Sequence, residues 1–445
     1  MKTKLSLKNL GRAAGVAAIT TIVSLTAAAA QTVALQNARV YTMAGGDGAA
    51  VIENGDVIMR DGNIIAVGQD LVAPEGATVI NAQNRIITPG VIAPWSSIGL
   101  VEIGLDEESN DSAPAPGVGF PLSAALDATD AFNPSSTLIA INRAGGVTRA
   151  LTAPTPGDKM FGGQAAIVDL SGRANSVTRP RVAQVLAMGY AGAMRNGDTR
   201  LGAWASLREY IKEAREYAGN PREYVRRTVE PKFSIADLEA LGPAMRGQQP
   251  LIVSVNSAED IRRLLALKNA NNLNVIVLGG AEAHLVAREL AAANVPVILD
   301  PFLNLPEQFE DLAATQKNAA RLAAAGVKIA FYNPPSGSHN LRSLPQLAGN
   351  AVANGLAYEA ALAALTYNPA KMYGLESRYG SIEVGKAGDV VVWDGDPLET
   401  ASRPLAVFID GRPTSMQTRQ TRLRDRYKDL SRGDLPFAYR GASQE

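Results

Sequence analysis

The chain has 445 residues, 46% hydrophobic and 19% charged, enough to bury one large core or two smaller ones and too apolar for a disordered chain. Its 43 basic residues equal its 43 acidic ones, which argues against a nucleic-acid backbone or an anionic membrane surface as partner and leaves a small molecule or another protein. The lack of any cysteine excludes disulfides, thiolate metal sites and cysteine nucleophiles, so stability has to come from the core.

Residues 1–30 read as a secretory signal: Lys2, Lys4, Lys8 and Arg12 precede the apolar run AAGVAAITTIVSLTAAAA, and Ala28 and Ala30 suit cleavage near Ala30. The run is short and Ala/Thr-rich for a span, and no stop-transfer pattern follows. The expectation is a secreted or periplasmic chain with no stable membrane span after signal cleavage.

Next come three or four short strands in TVALQNARVYTM and AVIENGDVIMRDGNIIAVGQD, with Asp61-Gly62-Asn63 supplying the positive-φ turn of a hairpin. The pattern then changes. VIAPWS, GGVTRALTAP, AAIVDL, PLIVSVN, NVIVLGG, VPVILDP and VKIAFYNP are continuous apolar strands, and segments such as AEDIRRLLALKNANN between them have helical spacing. Such alternation predicts a parallel sheet covered on both faces, and the strand tally over residues 90 to 335 favours a (β/α)8 TIM-like barrel. No G-x-G-x-x-G opens a helix after a strand, so a dinucleotide fold has no support. Past residue 379 short strands return in GSIEVGKAGDVVVWDGDP and LAVFIDGRP. The most economical arrangement joins both ends of the chain in one unit. Residues 31–88 and 379–415 form a composite β-sandwich domain, residues 89–378 the barrel, and residues 416–445 a charged C-terminal tail.

Three blocks carry a family resemblance: NARVYTM, VIMRDGNIIAVG and VINAQNRIITPGVI near the start, VLGGAEAHLVARELAAANVPVIL in the middle, and LTYNPAKMYGLESRYGSIEVGKAGDVVVWDGDP near the end. The chain resembles the amidohydrolase superfamily, in its imidazolonepropionase-like and prolidase-like secreted branch. The resemblance implies a barrel with a split β-sandwich and a divalent metal cofactor such as zinc. It also implies histidine ligands, and these are what the sequence lacks. The His-x-His pair expected after the first barrel strand falls in IITPGVIAPWSSIG at Trp95 and Ser97. The next two histidine places fall on Ser254 and Gly279, and the metal-binding aspartate of the last strand on Asn333 or Pro334. An amide cannot take up a proton as a carboxylate does.

Counting gives the same answer without alignment, since the usual binuclear site needs four imidazoles and the chain holds two histidines. His284 belongs to a helical stretch and reads as a solvated surface residue. His339 sits in a Gly/Ser/Pro loop after the last barrel strand, on the face where such barrels place their sites. The acidic run Glu102, Asp106, Glu107, Glu108 and Asp111 lacks the order of a calcium loop. Ser96, Ser97, Ser254 and Ser338 lie near strand ends, but only His339 could serve as their base and no G-x-S-x-G elbow accompanies them.

The expectation is therefore an amidohydrolase-family pseudoenzyme without a metal, acting as a binding or scaffolding subunit, alone or in a homo- or hetero-oligomer with a metal-competent relative. Trp95, Ser97, Ser254 and Gly279 would line its pocket, with Trp95 filling the space of the metals. The alternative is a hydrolase of cyclic amide or dipeptide-like C–N bonds working through Asp300, Asn333 and His339. The helical segment TRLGAWASLREYIKEAREYAGNPREYVRRTVEP has a stripe at Leu201, Trp204, Leu207, Tyr210 and Ile211, and either lines the barrel flank or lies over its mouth. The tail MQTRQTRLRDRYKDLSRGDLPFAYRGASQE, the most charged part of the chain, reads as an amphipathic helix with an extended end.

Overall fold

The computed structural model describes residues 32–46, 50–227, 232–334 and 338–428. The segment read as a secretory signal lies outside the described residues, as does the end of the tail. Within them the chain forms two eight-stranded sheets.

The first sheet is built by both ends of the chain. Its N-terminal strands are β1 (Thr32–Tyr41), β2 (Val51–Arg60), β3 (Asn63–Gln69), β4 (Thr78–Asn81) and β5 (Ile86–Pro89). The Asp61-Gly62 turn between β2 and β3 has φ of 50° and 89°, the left-handed pair that a two-residue hairpin requires. β1 pairs with β2 on one edge and is shared on the other by two partners: Val33–Gln36 pair with β4, and Arg39 and Val40 pair with β5. Asn37, with φ of 57°, bends the strand between the two. The sheet forks there and closes round an apolar cluster that includes Leu35, Met59, Ile87, Val390 and Phe408.

The second sheet is the barrel, made of β6 (Val91–Ala93), β7 (Val147–Thr152), β8 (Phe161–Asp169), β9 (Val177–Ala187), β10 (Leu251–Val255), β11 (Val275–Gly279), β12 (Val297–Leu299) and β13 (Ile329–Phe331). β6 is parallel to β7, and β9 through β13 are parallel to one another. β8 runs antiparallel to both β7 and β9, a departure from the uniformly parallel sheet expected of AAIVDL. The strand unread in the sequence is β9. Pro180 and two arginines in its first half argue against a buried strand, and that half, Thr178 to Arg181, is exposed beyond the barrel wall. Only Val182 to Ala187 is buried.

The strand period of two sends apolar side chains from every strand into the barrel, among them Ile92, Leu151, Ile167, Val185, Ile252, Ile276, Ile298 and Ala330, all in one buried cluster. Alternate residues such as Val253, Val277 and Phe331 face outward and pack under the helices. These helices start at side-chain caps, as where Ser257 Oγ accepts the Asp260 N–H at 3.1 Å before Ala258–Asn271.

The last strands, β14 (Val390–Trp393), β15 (Pro404–Ile409) and β16 (Arg412–Pro413), return to the first sheet, where β14 pairs antiparallel with β5. Alternation along β14 turns Val390 and Val392 into the sheet's own cluster and Val391 and Trp393 towards the barrel. A buried ion cluster closes the barrel floor. Arg149 of β7 bonds Asp389 at 2.6 Å and Asp410 at 2.7 Å, and stacks its guanidinium 3.9 Å from the Tyr379 ring centroid. Arg173 holds the second oxygen of Asp410 at 3.1 Å.

The long helix Arg200–Gly219 buries Leu207, Tyr210, Ile211, Ala214 and Tyr217. Leu201 is exposed, so the buried stripe begins later than the spacing suggested. Tyr210 stacks on Phe233 at 3.5 Å and meets Phe161 of β8 edge-on at 5.0 Å, which places this helix against the barrel flank.

Candidate functional site at the barrel mouth

The C-terminal ends of the barrel strands form the face on which such barrels build their sites. β6 ends in the stretch Pro94-Trp95-Ser96-Ser97. The Trp95 indole is partly buried and packs on the barrel's interior cluster. Both serines hold the neighbouring strand instead of facing a ligand. Ser96 Oγ donates to Leu151 O at 2.6 Å and Ser97 Oγ to Ala153 O at 3.0 Å. In return Ala153 N donates to Ser96 O at 2.8 Å, and Thr152 Oγ1 to Ile98 O at 2.7 Å. The Pro94 carbonyl accepts the buried Tyr373 hydroxyl at 2.6 Å. Residues at the places of a ligand pair thus extend the β6–β7 seam.

Alternation places Ser254, Leu278, Asp300 and Tyr332 on the inward side of β10 to β13, above the layer that holds Ile252, Ile276, Ile298 and Ala330. Gly279 lies on the other side of its strand from Leu278, with φ of 95°. A β-carbon there would come 2.4 Å from Asn256 Oδ1, so the Asn256 amide occupies the space where a larger side chain would begin. Asn333 also falls on the outward side, where its amide reaches Asn340 O at 3.5 Å. Of the expected residues, Trp95, Ser254 and Asp300 share the mouth, while Gly279 and Asn333 do not.

Asp300 is the one carboxylate of this inward ring. Burial raises its carboxyl above the usual range, and the charge of Glu307 adds to this against one hydrogen bond from Phe302 N at 2.8 Å. Burial and the charge of Asp300 likewise raise the Tyr332 phenol. Tyr332 was missed in the sequence, although the period of two from Ala330 would have found it.

His339 is drawn away from the mouth. Its neighbour Ser338 accepts Ser97 N at 3.1 Å and gives its carbonyl to Asn142 Nδ2 at 2.7 Å, which pins the loop to helix Thr137–Ala144. His339 there lies near Glu102. Glu102 sits at the start of that helix, accepting Ser136 Oγ at 2.5 Å, Thr137 N at 3.1 Å and the Thr137 hydroxyl. Burial alone would raise the Glu102 carboxyl; the hydrogen bonds from Ser136 and Thr137 outweigh it and hold the group below its ordinary value of 4.5. A depressed carboxylate stabilises the fold fully above the unfolded value and loses that contribution as pH falls through the folded one. Glu102→Gln should therefore cost about 1 kcal/mol at neutral pH, discounted for the carboxylate's exposure. The gap to the parent should close as pH falls below 4.5, and urea unfolding of both proteins between neutral and acid pH checks it. His284, expected on the surface, is half-buried with Nδ1 shielded, and burial lowers its pKa.

A polar network beside the mouth had no signal in the sequence. Glu310, in the loop after β12, accepts Tyr190 N at 2.7 Å, Asn256 Nδ2 at 3.2 Å and Arg200 Nη2 at 3.0 Å. Arg200 reaches on to Asp260 at 2.9 Å. The network holds Asn256, whose other amide atom crowds Gly279. Next to it a cleft of about 830 Å³ opens between the loops after β6 and β7, lined by Ser112, Pro114, Thr155, Pro156, Asp158 and Arg195. Arg195 donates there to the carbonyls of Gly157, Pro156 and Ala191, at 2.7 to 2.9 Å, with the charge of Asp158 nearby.

These donors do not fit a catalytic metal. Among the described residues no three His, Cys, Asp or Glu side chains gather as a ligand set, and the expected ligand places hold an indole, two hydroxyls, a glycine and an amide.

An amidohydrolase family model matches residues 258–416. Amidohydrolase tasK of Hapsidospora irregularis is 26% identical over 390 residues, 80% of this chain and 39% of that protein, so the chain spans well under half of that relative. An imidazolonepropionase of Sphingopyxis alaskensis is 28% identical over 400 residues, covering 82% of this chain and 93% of that one. Among solved structures, an amidohydrolase from Thermotoga maritima superposes with a TM-score of 0.76 at 26% identity over 86% of this chain and all of the other. With the barrel, the sheet shared by both chain ends and these likenesses in hand, the chain belongs to the amidohydrolase superfamily.

Proposed function

We propose that this chain is an exported member of its superfamily that does not hydrolyse: a binding or scaffolding subunit, working as a homo-oligomer or beside a metal-competent relative. The observation that carries the reading is the state of the ligand places. Ser97 is committed to a backbone carbonyl, Gly279 faces Asn256, Asn333 turns outward, and Trp95 packs on the interior cluster. Metal-activated attack of water needs several imidazoles and carboxylates converging on one point, and no such convergence supports it here. A small-molecule ligand has room in the cleft beside the mouth.

The test is metal analysis of the mature protein after incubation with zinc, iron and manganese. Far less than one equivalent is expected, and near-stoichiometric metal overturns the proposal. One observation favours a second reading. The raised Asp300 carboxyl, next to Tyr332, has the character of a general acid or base for a C–N hydrolase of cyclic amides or dipeptide-like substrates. Hydrolysis of such substrates by metal-free protein, lost in Asp300→Asn, would establish it over the first.

A further inference from the structure

The helix Arg419–Tyr427 stands out because none of its residues is buried. Helices shorter than about 12 residues are marginal in water unless one face is packed. This one has nine residues and opens with a capping box at Thr418 and Thr421. It presents Leu423 between Arg419 and Arg422 on one side and Arg424 on the other. Arg424 pairs with its neighbour Asp425 at 2.7 Å, while Arg419 and Arg422 make no ion pair among the described residues.

A surface of opposite character lies elsewhere on the same chain. The loop after β6 carries Asp106, Glu107, Glu108 and Asp111, all exposed and none in an ion pair among the described residues. Just before them Leu105 is fully exposed at 101% and Ile103 at 55%. Exposed leucine and isoleucine beside unpaired carboxylates complement exposed leucine beside unpaired guanidiniums.

Both surfaces flank helix Thr137–Ala144. Glu102 ties the acidic loop to its first turn, and Arg143 in its last turn donates to Ser415 O at 3.2 Å, just before the tail helix. A two-fold axis beside that helix therefore brings each copy's tail to the other's loop, a reciprocal contact that closes on itself instead of propagating. We propose that helix Arg419–Tyr427 docks on the Ile103–Asp111 loop of a second copy of this chain, and the reverse, giving a closed dimer. The inference stands whether or not the barrel retains a reaction.

Sedimentation velocity on the mature full chain tests it. The wild type is expected to dimerise in about 50 mM salt and to weaken in about 500 mM, as the screening length falls from more than roughly 10 Å to under roughly 5 Å. Arg419→Glu with Arg422→Glu, and separately Glu107→Lys with Glu108→Lys, should each raise the dissociation constant roughly tenfold or more. All four substitutions together should restore the dimer, and circular dichroism confirms that each variant is folded. A wild type that stays monomeric, a dimer indifferent to the tail pair or to the loop pair, or no restoration in the fourfold variant overturns the proposal. So does a monomer that co-sediments with phosphatidylglycerol vesicles through the two arginines, which would make an anionic lipid surface the partner.

Discussion

Replacing Asp389 by alanine is expected to cost about 3–5 kcal/mol of stability, the range for removing one partner of an enclosed ion pair. The residue lies where the two sheets meet. Its carboxylate takes Arg149 Nε at 2.6 Å and Nη2 at 3.3 Å, and it also accepts Asp410 N at 2.9 Å. The Arg149 side chain is 1% exposed, and a guanidinium keeps its proton even where burial works against the charge, so the variant strands a cation in the barrel floor. Asp410 offers partial relief, being itself shared with Arg173. Urea unfolding measures the loss; a cost under about 1 kcal/mol would mean that the pair behaves as an exposed one.

Trp95→Ala is expected to cost about 2–3 kcal/mol, less than a fully enclosed indole would, because the ring packs on the interior cluster with one side open. A change within about 0.5 kcal/mol would show that the ring fills nothing. Converting Trp95 and Ser97 together to histidine should not create a zinc site. Ser254 and Leu278 on the inward side would add no imidazole or carboxylate to the pair, and a histidine at 279 would meet Asn256 Oδ1 at its first carbon. Zinc content of the double variant, with and without Gly279→His, checks this, and stoichiometric metal in either would contradict the account of the mouth.

Much of this fold was legible because its strands obey one rule at a time. Ile276 and Leu278 alternate with Val275 and Val277, and the family blocks at both chain ends announce a shared sheet. β9 escaped because it obeys two rules, running exposed through Pro180 and then buried from Val182. The shortage of imidazoles, two where the usual binuclear site takes four, could be counted from composition alone. What replaced them could not. Arg200 and Glu310 are 110 residues apart, and Arg149 and Asp389 are 240 apart, with no periodicity linking either pair. Only the folded chain shows that Ser97 holds the end of β7 at Ala153, that Asn256 crowds position 279, or that His339 lies near Glu102.

The forked first sheet also sets an order of events in folding. β5 offers its edge to β14, joining Ile87–Pro89 to Val390–Val392, so nearly the whole barrel must be synthesised before that ladder can form. Until then the N-terminal strands present an open edge, the kind of surface on which chains aggregate. Closing so long a loop is slow. The barrel floor waits on the same late segment, since Asp389 and Asp410 both lie in it. A nascent chain stalled or truncated before about residue 390 would therefore carry an unsealed barrel and an unpaired strand together, and would be a substrate for chaperones and proteases instead of a smaller stable domain.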